Sequence, residues 1–282
     1  MISGDHKQIA SELVVDGSVE FSHGDVEQIE AIAERLPYQM PVMVPCLPRR
    51  PLESMLPALQ AIQEASLEPV PHIPARHVES TRALAKFLQQ AGVRKAVVIG
   101  GDRSSANGPF ADATALLSSG CLAENGIREV GFAAYPEGHP TIPAEALFNS
   151  LSKNIDLASG QGQGSFIITQ FTLSPQRIPD LCSRLASAAP DTPVYAGIPG
   201  PATHEQVVHF ARYCGVSTSL TAVSGVGVKL AQVVDHERPG QQLGLLASYC
   251  AAHPGSNLVG VHIYGFGGMG ETAKWIRRHI NP

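Results

Sequence analysis

Several things are missing from this chain, and each absence removes a class of function. Its five cysteines, Cys46, Cys121, Cys182, Cys214 and Cys250, are odd in number and widely spread. None forms a CxxC pair, which argues against a disulfide framework and against a thiolate zinc site and points to a reducing cytoplasm. No cluster of Lys and Arg with interleaved aromatics is present, and the formal charge is −5. A nucleic-acid surface is therefore not expected, and a small-molecule ligand is. No stretch approaches the roughly 18 apolar residues of a spanning helix, so no membrane partner is expected. The first residues, MISGDHKQIA, lack the basic-then-apolar pattern of an export signal.

Catalytic signatures are also scarce. The 11 histidines include no HExxH pair, and EGH at 137–139 sets alternate residues on one loop only, so no metal is expected. There is no GxSxG elbow, and Cys46 lies among prolines without a basic partner in sequence. The glycines of VIGGDRS (98–104) and SGQGQG (159–164) fit neither the dinucleotide nor the P-loop pattern and read as rim turns.

What the chain has is alternation. With 282 residues and 44% hydrophobic content it can bury a large core as one domain. Short apolar runs occur at 13–21, 41–45, 68–73, 95–101, 129–135, 165–170, 193–198 and 258–264. Helical periodicity fills the gaps at 25–36, 53–65, 79–91, 109–120, 143–154, 176–189, 203–213 and 268–279, with Gly92 and Gly126 as stops. Eight apolar strands alternating with helices predict a single-domain α/β fold over 1–282, a (β/α)8 barrel. The long connection 199–257 reads as an insertion after the seventh strand, with further helical patterns at 226–236 and 241–252.

Barrel enzymes carry their sites at the carboxyl ends of the strands. The residues ending these runs are Glu20, His72, Asp102, Tyr135 with Glu137 and His139, Gln170 and Tyr264. Taken singly, Glu20 reads equally as a solvated carboxylate, His72 as a satisfied core histidine and Asp102 as the cap of the next helix. Their convergence on one rim is what a function requires.

The order of the motifs resembles the methylenetetrahydrofolate reductase family. AAYPEGHP (133–140) is the most specific match, supported by PHI (71–73), GGD (100–102), ITQF (168–171), GI (197–198) and HIY (262–264). The resemblance implies an oxidoreductase of one-carbon metabolism. It would interconvert 5,10-methylenetetrahydrofolate and 5-methyltetrahydrofolate, with FAD as hydride carrier and NADH or NADPH as donor. It implies Glu20 as general acid and Asp102 as a catalytic and folate-binding carboxylate. His72, Gly101, Asp102, Tyr135 and His139 fall to the flavin side, and Gln170 and Phe171 to the folate.

The chain also departs from that pattern. Gly100 replaces the arginine of the usual LRGD, the helix after the fifth strand is thinned in charge to AEALFNSLSKNID (144–156), and HIYGFGGMG (262–270) lacks the family's arginine. Weak flavin binding is the expectation, with Arg103 or Lys153 as substitute charges. A flavin-free NADH-dependent reductase and a non-catalytic tetrahydrofolate-binding protein are the alternatives. A homo-oligomer is compatible with the composition. No regulatory domain beyond the barrel is expected.

Overall fold

The computed structural model describes residues 4–21, 23–172, 174, 176–214, 216 and 239–280. Its strands are β1 (Ser18–Glu20), β2 (Pro41–Val44), β3 (Glu68–Pro74), β4 (Lys95–Ile99), β5 (Glu129–Ala134), β6 (Gly164–Thr169), β7 (Val194–Pro199) and β8 (Leu258–Tyr264). All pair in parallel, and β8 returns to β1 to close the barrel. The expected (β/α)8 architecture is what forms.

The first unit differs from its sequence reading. Leu13, Val14 and Val15 end a helix, α1 (Gly4–Val15), and only Ser18–Glu20 is strand. Leu13 and Val14 are buried because α1 packs on β8 and on the two last helices of the chain. Burial against a helix or a sheet gives the same short apolar run, so periodicity could not separate them. At Gly17, a Cβ would come within 2.5 Å of the Val261 carbonyl oxygen. Glycine is therefore what lets α1 turn into β1 so tightly.

The connecting helices are α2 (Ile29–Ala33), α3 (Leu56–Glu64), α4 (Thr81–Ala91), α5 (Ala113–Ser118), α6 (Cys121–Glu124), α7 (Ala144–Gly160), α8 (Arg177–Ala188) and α9 (His204–Tyr213). The last two are α10 (Pro239–Ala252) and α11 (Met269–Ile280). In α4, Leu84, Phe87, Leu88 and Ala91 form the buried stripe, Ser80 accepts the Ala83 N–H as N-cap, and Gly92 ends the helix with φ +61°. Of the pattern expected at 109–120 only Ala113–Ser118 is helical, as α5, and Gly120, whose φ is +72°, separates it from the short α6 that follows. The 241–252 pattern is α10; the one at 226–236 lies outside the described residues.

Most of the core lies between strands and helices. Inside the barrel, Met43, Val70, Val97, Phe166 and Ile168 form a separate packed plug. Gly131 makes room for it, since a Cβ there would lie 2.5 Å from the Phe166 ring. That plug is the floor on which the site stands.

Candidate active site

Above the plug, at the carboxyl ends of the strands, a cavity of about 410 Å³ is lined by residues of β1, β3, β4, β5, β6 and β8, by loops at that rim including the one after β2, and by α9. Parallel register explains the convergence. His72 pairs with Val97 and Pro74 with Ile99, while Ala133 pairs with Ile168, and all six side chains line the cavity. The next inward positions are Tyr135 and Gln170, and across the barrel Glu20 and Tyr264. Six of the eight residues singled out for the site, Glu20, His72, Gly101, Asp102, Tyr135 and Gln170, thus share one cavity.

The other two lie outside it. His139 sits behind Tyr135, its ring edge-on at 5.3 Å. Phe171 is fully buried and packs against Tyr264 and Phe266. Beside Tyr135 and Tyr264, the cavity is lined by Phe210 and Phe266, stacked on each other at 4.3 Å. They come from α9 and the loop after β8, where no sequence periodicity marks them as neighbours.

Burial sets the chemistry of each group. The Glu20 side chain is only 25% exposed, so it is not a freely solvated carboxylate. His72 has its Nε2 buried without a partner, which a satisfied core histidine would not. Burial lowers its pKa from 6.5 to about 4 against the raising effect of Glu20, so the ring is neutral at physiological pH. Asp102 caps no helix. That role belongs to Asp112, whose carboxylate accepts the Ala115 N–H at 2.8 Å.

Asp102 instead takes a partner that the sequence reading missed. His77 Nε2 lies 2.7 Å from Asp102 Oδ1, with the histidine side chain 4% exposed and the aspartate 60%. Burial pushes the Asp102 carboxyl up, but the His77 hydrogen bond, a backbone donor and the charges of His77 and Arg103 outweigh it and hold it below the usual value. A carboxylate therefore stands at the mouth of the cavity. His77 follows β3 within PHIPARH, five residues after His72, and that spacing alone gave no signal.

The loop carrying Gly101 and Asp102 is held by Arg76. Its Nε donates to the Ala111 carbonyl at 2.8 Å, and its Nη1 donates to those of Gly101 and Arg103 at 3.1 and 3.2 Å. Gly101 itself has φ +92° and lies close to Pro74, so a side chain there would be strained. Glu137 is likewise engaged, accepting a short hydrogen bond from the Thr172 hydroxyl.

Two thiols line the cavity, and burial keeps both protonated. The Cys46 pKa rises to about 11 and that of Cys214 to about 12, so neither offers a thiolate nucleophile. Among the described residues, no group of three or more His, Cys, Asp or Glu could hold a metal ion. Among them too, no helix is long and apolar enough to cross a membrane.

The sequence pattern of the methylenetetrahydrofolate reductase family matches residues 51–257 of this chain. Solved structures with a similar course include dihydropteroate synthase from Thermus thermophilus, at 10% identity and TM-score 0.47, covering 92% of this chain and 90% of that one. Orotidine 5'-phosphate decarboxylase from Pyrococcus horikoshii is similar at 14% identity and TM-score 0.45, covering 94% and 99%. Tryptophan synthase from M. tuberculosis is similar at 17% identity and TM-score 0.42, covering 91% and 100%. These likenesses are distant, and the barrel rests on its own strand pairing.

Proposed function

Because the chain belongs to the methylenetetrahydrofolate reductase family, we propose that it interconverts 5,10-methylenetetrahydrofolate and 5-methyltetrahydrofolate, with NADH or NADPH as hydride partner and FAD as a weakly held carrier. Family membership carries folate one-carbon reductase activity as such. The observation that supports the finer reading is the convergence of Glu20, Asp102 and Gln170 on one cavity.

Reduction of the methylene carbon needs an iminium cation at N5, and opening the five-membered ring needs a proton at N10. Glu20 is the acid that gives it, from a half-buried position facing the cavity. Asp102 accepts hydrogen bonds from the pterin's amino and N–H groups, and its negative charge favours the developing cation. Its lowered pKa keeps it ionised while it does so. Gln170 Oε1 accepts the Phe171 N–H at 3.0 Å, which leaves the amide N–H2 to donate to a ligand. Phe210 and Phe266 give flat apolar surface for the aromatic part of the folate.

The walls fit a flavin ring better than they fit its phosphates. Gly101, Ile99, Ile168 and Tyr135 are apolar or flat, and His72 is neutral. His72, Gly101 and Tyr135 would hold the ring, with His139 bracing Tyr135 from behind. When bound, FAD supplies a two-electron carrier between nicotinamide and folate. Among the described residues, no Lys or Arg lines the cavity. Arg76, whose Nη2 is 4.0 Å from where a Gly100 Cβ would be, has its Nε and Nη1 engaged by backbone carbonyls of the loop. Asn154 on α7 is 6% exposed and bonded to Thr114 at 2.7 Å. A pyrophosphate therefore gains little from these positions, which supports weak binding and favours direct nicotinamide-to-folate transfer as the second reading.

The test is NADH or NADPH oxidation that requires methylenetetrahydrofolate, measured with and without added FAD. Folate-dependent turnover is expected. A folded protein that oxidises neither nucleotide in the presence of the folate, even with FAD, would overturn the proposal.

A further inference from the structure

Behind Glu20 lie two buried polar side chains that the steps above do not use. Ser18 and His262 face each other across the β1–β8 pairing, both fully buried. Ser18 Oγ is 2.9 Å from His262 Nδ1. The other ring nitrogen, Nε2, is buried with no hydrogen-bond partner and lies 3.9 Å from Glu20 Oε2. Tyr264 meets the imidazole edge-on at 4.6 Å and fixes its plane. Strand geometry makes this arrangement, because Ser18 and Glu20 share one face of β1 and His262 and Tyr264 share one face of β8.

The tautomer follows from hydrogen-bond bookkeeping. A buried hydroxyl with a ring nitrogen as its neighbour is satisfied by donating its hydrogen. Nδ1 then accepts, and Nε2 carries the proton, aimed at Glu20.

We propose that His262, oriented by Ser18, is a positioning residue for Glu20, its Nε2–H receiving the carboxylate that forms as Glu20 releases its proton. This rests on the reading of Glu20 as the acid. The proton leaves Glu20 for the folate N10 and the electron pair stays on the carboxylate. His262 keeps its Nε2–H and transfers nothing. Glu20 regains a proton from solvent through the cavity once product has left. The gap of 3.9 Å exceeds the roughly 2.9 Å of a formed N–H···O bond. Rotation of the Glu20 side chain closes it, as catalytic contacts commonly tighten in the working complex.

The other groups facing Glu20 do not compete for this role. His72 makes no ion pair or hydrogen bond with the Glu20 carboxylate, whereas His262 approaches it to 3.9 Å, and burial keeps Tyr264 and Cys214 protonated. The Tyr264 hydroxyl already donates to the Thr169 carbonyl at 3.1 Å. Among the described residues, His262 Nε2 is the buried, unpartnered ring nitrogen within 4.0 Å of the Glu20 carboxylate, and so the donor placed to meet a new charge there.

Asparagine and glutamine separate the two ends of the ring. At position 262, Asn reaches Ser18 but not Glu20, whereas Gln carries an amide N–H2 to the Nε2 position. The Glu20 carboxyl is followed by infrared difference titration against Glu20→Gln. His262→Asn is expected to move Glu20 deprotonation to higher pH, and His262→Gln to return it toward wild type. In turnover, His262→Asn should lower kcat by about 10- to 100-fold, the worth of one hydrogen bond to a charged group, with KM little changed. In a Glu20→Gln background it should cost nothing further.

An unchanged or downward-shifted titration in a folded Asn variant overturns the proposal, as does an equal loss in both backgrounds. If His262→Asn does not fold, Ser18→Ala takes its place, with the same upward shift expected and no shift overturning it. Absence of folate turnover in the wild type would defeat the proposed function, while the infrared titration still decides the Glu20–His262 relationship.

Discussion

His77 Nε2 and Asp102 Oδ1 meet at 2.7 Å, one buried and the other at the mouth of the cavity. The pair ties the carboxylate to the end of β3 and keeps it ionised. Asp102→Asn keeps the size of the side chain and disturbs no helix cap, so its melting temperature should stay close to wild type. Turnover should fall. A stable Asp102→Asn protein with full activity would remove Asp102 from the chemistry.

Glu20→Gln retains hydrogen bonding but has no proton to give. Folate reduction should slow by about 10²- to 10⁴-fold. Folate binding, measured by ligand-induced fluorescence change, should survive. Turnover at the wild-type rate with only binding altered would assign the acid elsewhere.

His72 gives stability a pH signature whose sign is fixed. Its folded pKa, about 4, lies below the ordinary 6.5 because burial penalises the charged ring. As pH falls, the unfolded chain therefore takes up the proton first, so stability is full above about pH 6.5 and declines toward pH 4. The gap corresponds to at most about 3 kcal/mol. Denaturant unfolding of wild type and His72→Phe at several pH values should show a flatter acid slope in the variant. Parallel slopes would mean that the imidazole is charged or solvated in the fold.

Arg76 holds three carbonyls of the loop that carries Gly101 and Asp102. Arg76→Met should speed amide hydrogen exchange across residues 100–111 and raise KM for folate more than it lowers kcat. Unchanged exchange in that loop would show that other contacts hold it.

Flavin affinity follows from the missing charge at Gly100. One charged contact is worth roughly 1.5–3 kcal/mol, so its loss weakens binding about 10- to 100-fold. Protein purified without added flavin should be partly or wholly colourless. Titration of such protein with FAD, read by fluorescence quenching, should saturate in the micromolar range. Stoichiometric, tightly retained flavin would show that another group supplies the charge.

The barrel was legible because each strand is buried on both faces and each helix on one, which writes the alternation into the sequence. The α1–β1 boundary was not, since Leu13 and Val14 are buried equally well in a helix. For the site, strand ends gave Glu20, His72, Tyr135 and Gln170, because parallel register carries those positions to one rim. His77, Phe210 and Phe266 come from loops and a helix, whose approach depends on three-dimensional closure. Phe171 was assigned to the folate by motif, yet its ring is fully buried. Motif order fixes the backbone position, and packing fixes where the side chain goes.

The central claim is tested most directly by product analysis. Protein freed of flavin is given NADH and methylenetetrahydrofolate, with FAD added in steps, and both NADH consumed and 5-methyltetrahydrofolate formed are measured. The expected result is one product formed per NADH oxidised, at a rate that rises and saturates with FAD. Full folate-dependent NADH oxidation that ignores FAD would contradict the weak-flavin mechanism, and NADH consumption without 5-methyltetrahydrofolate would contradict the reductase itself.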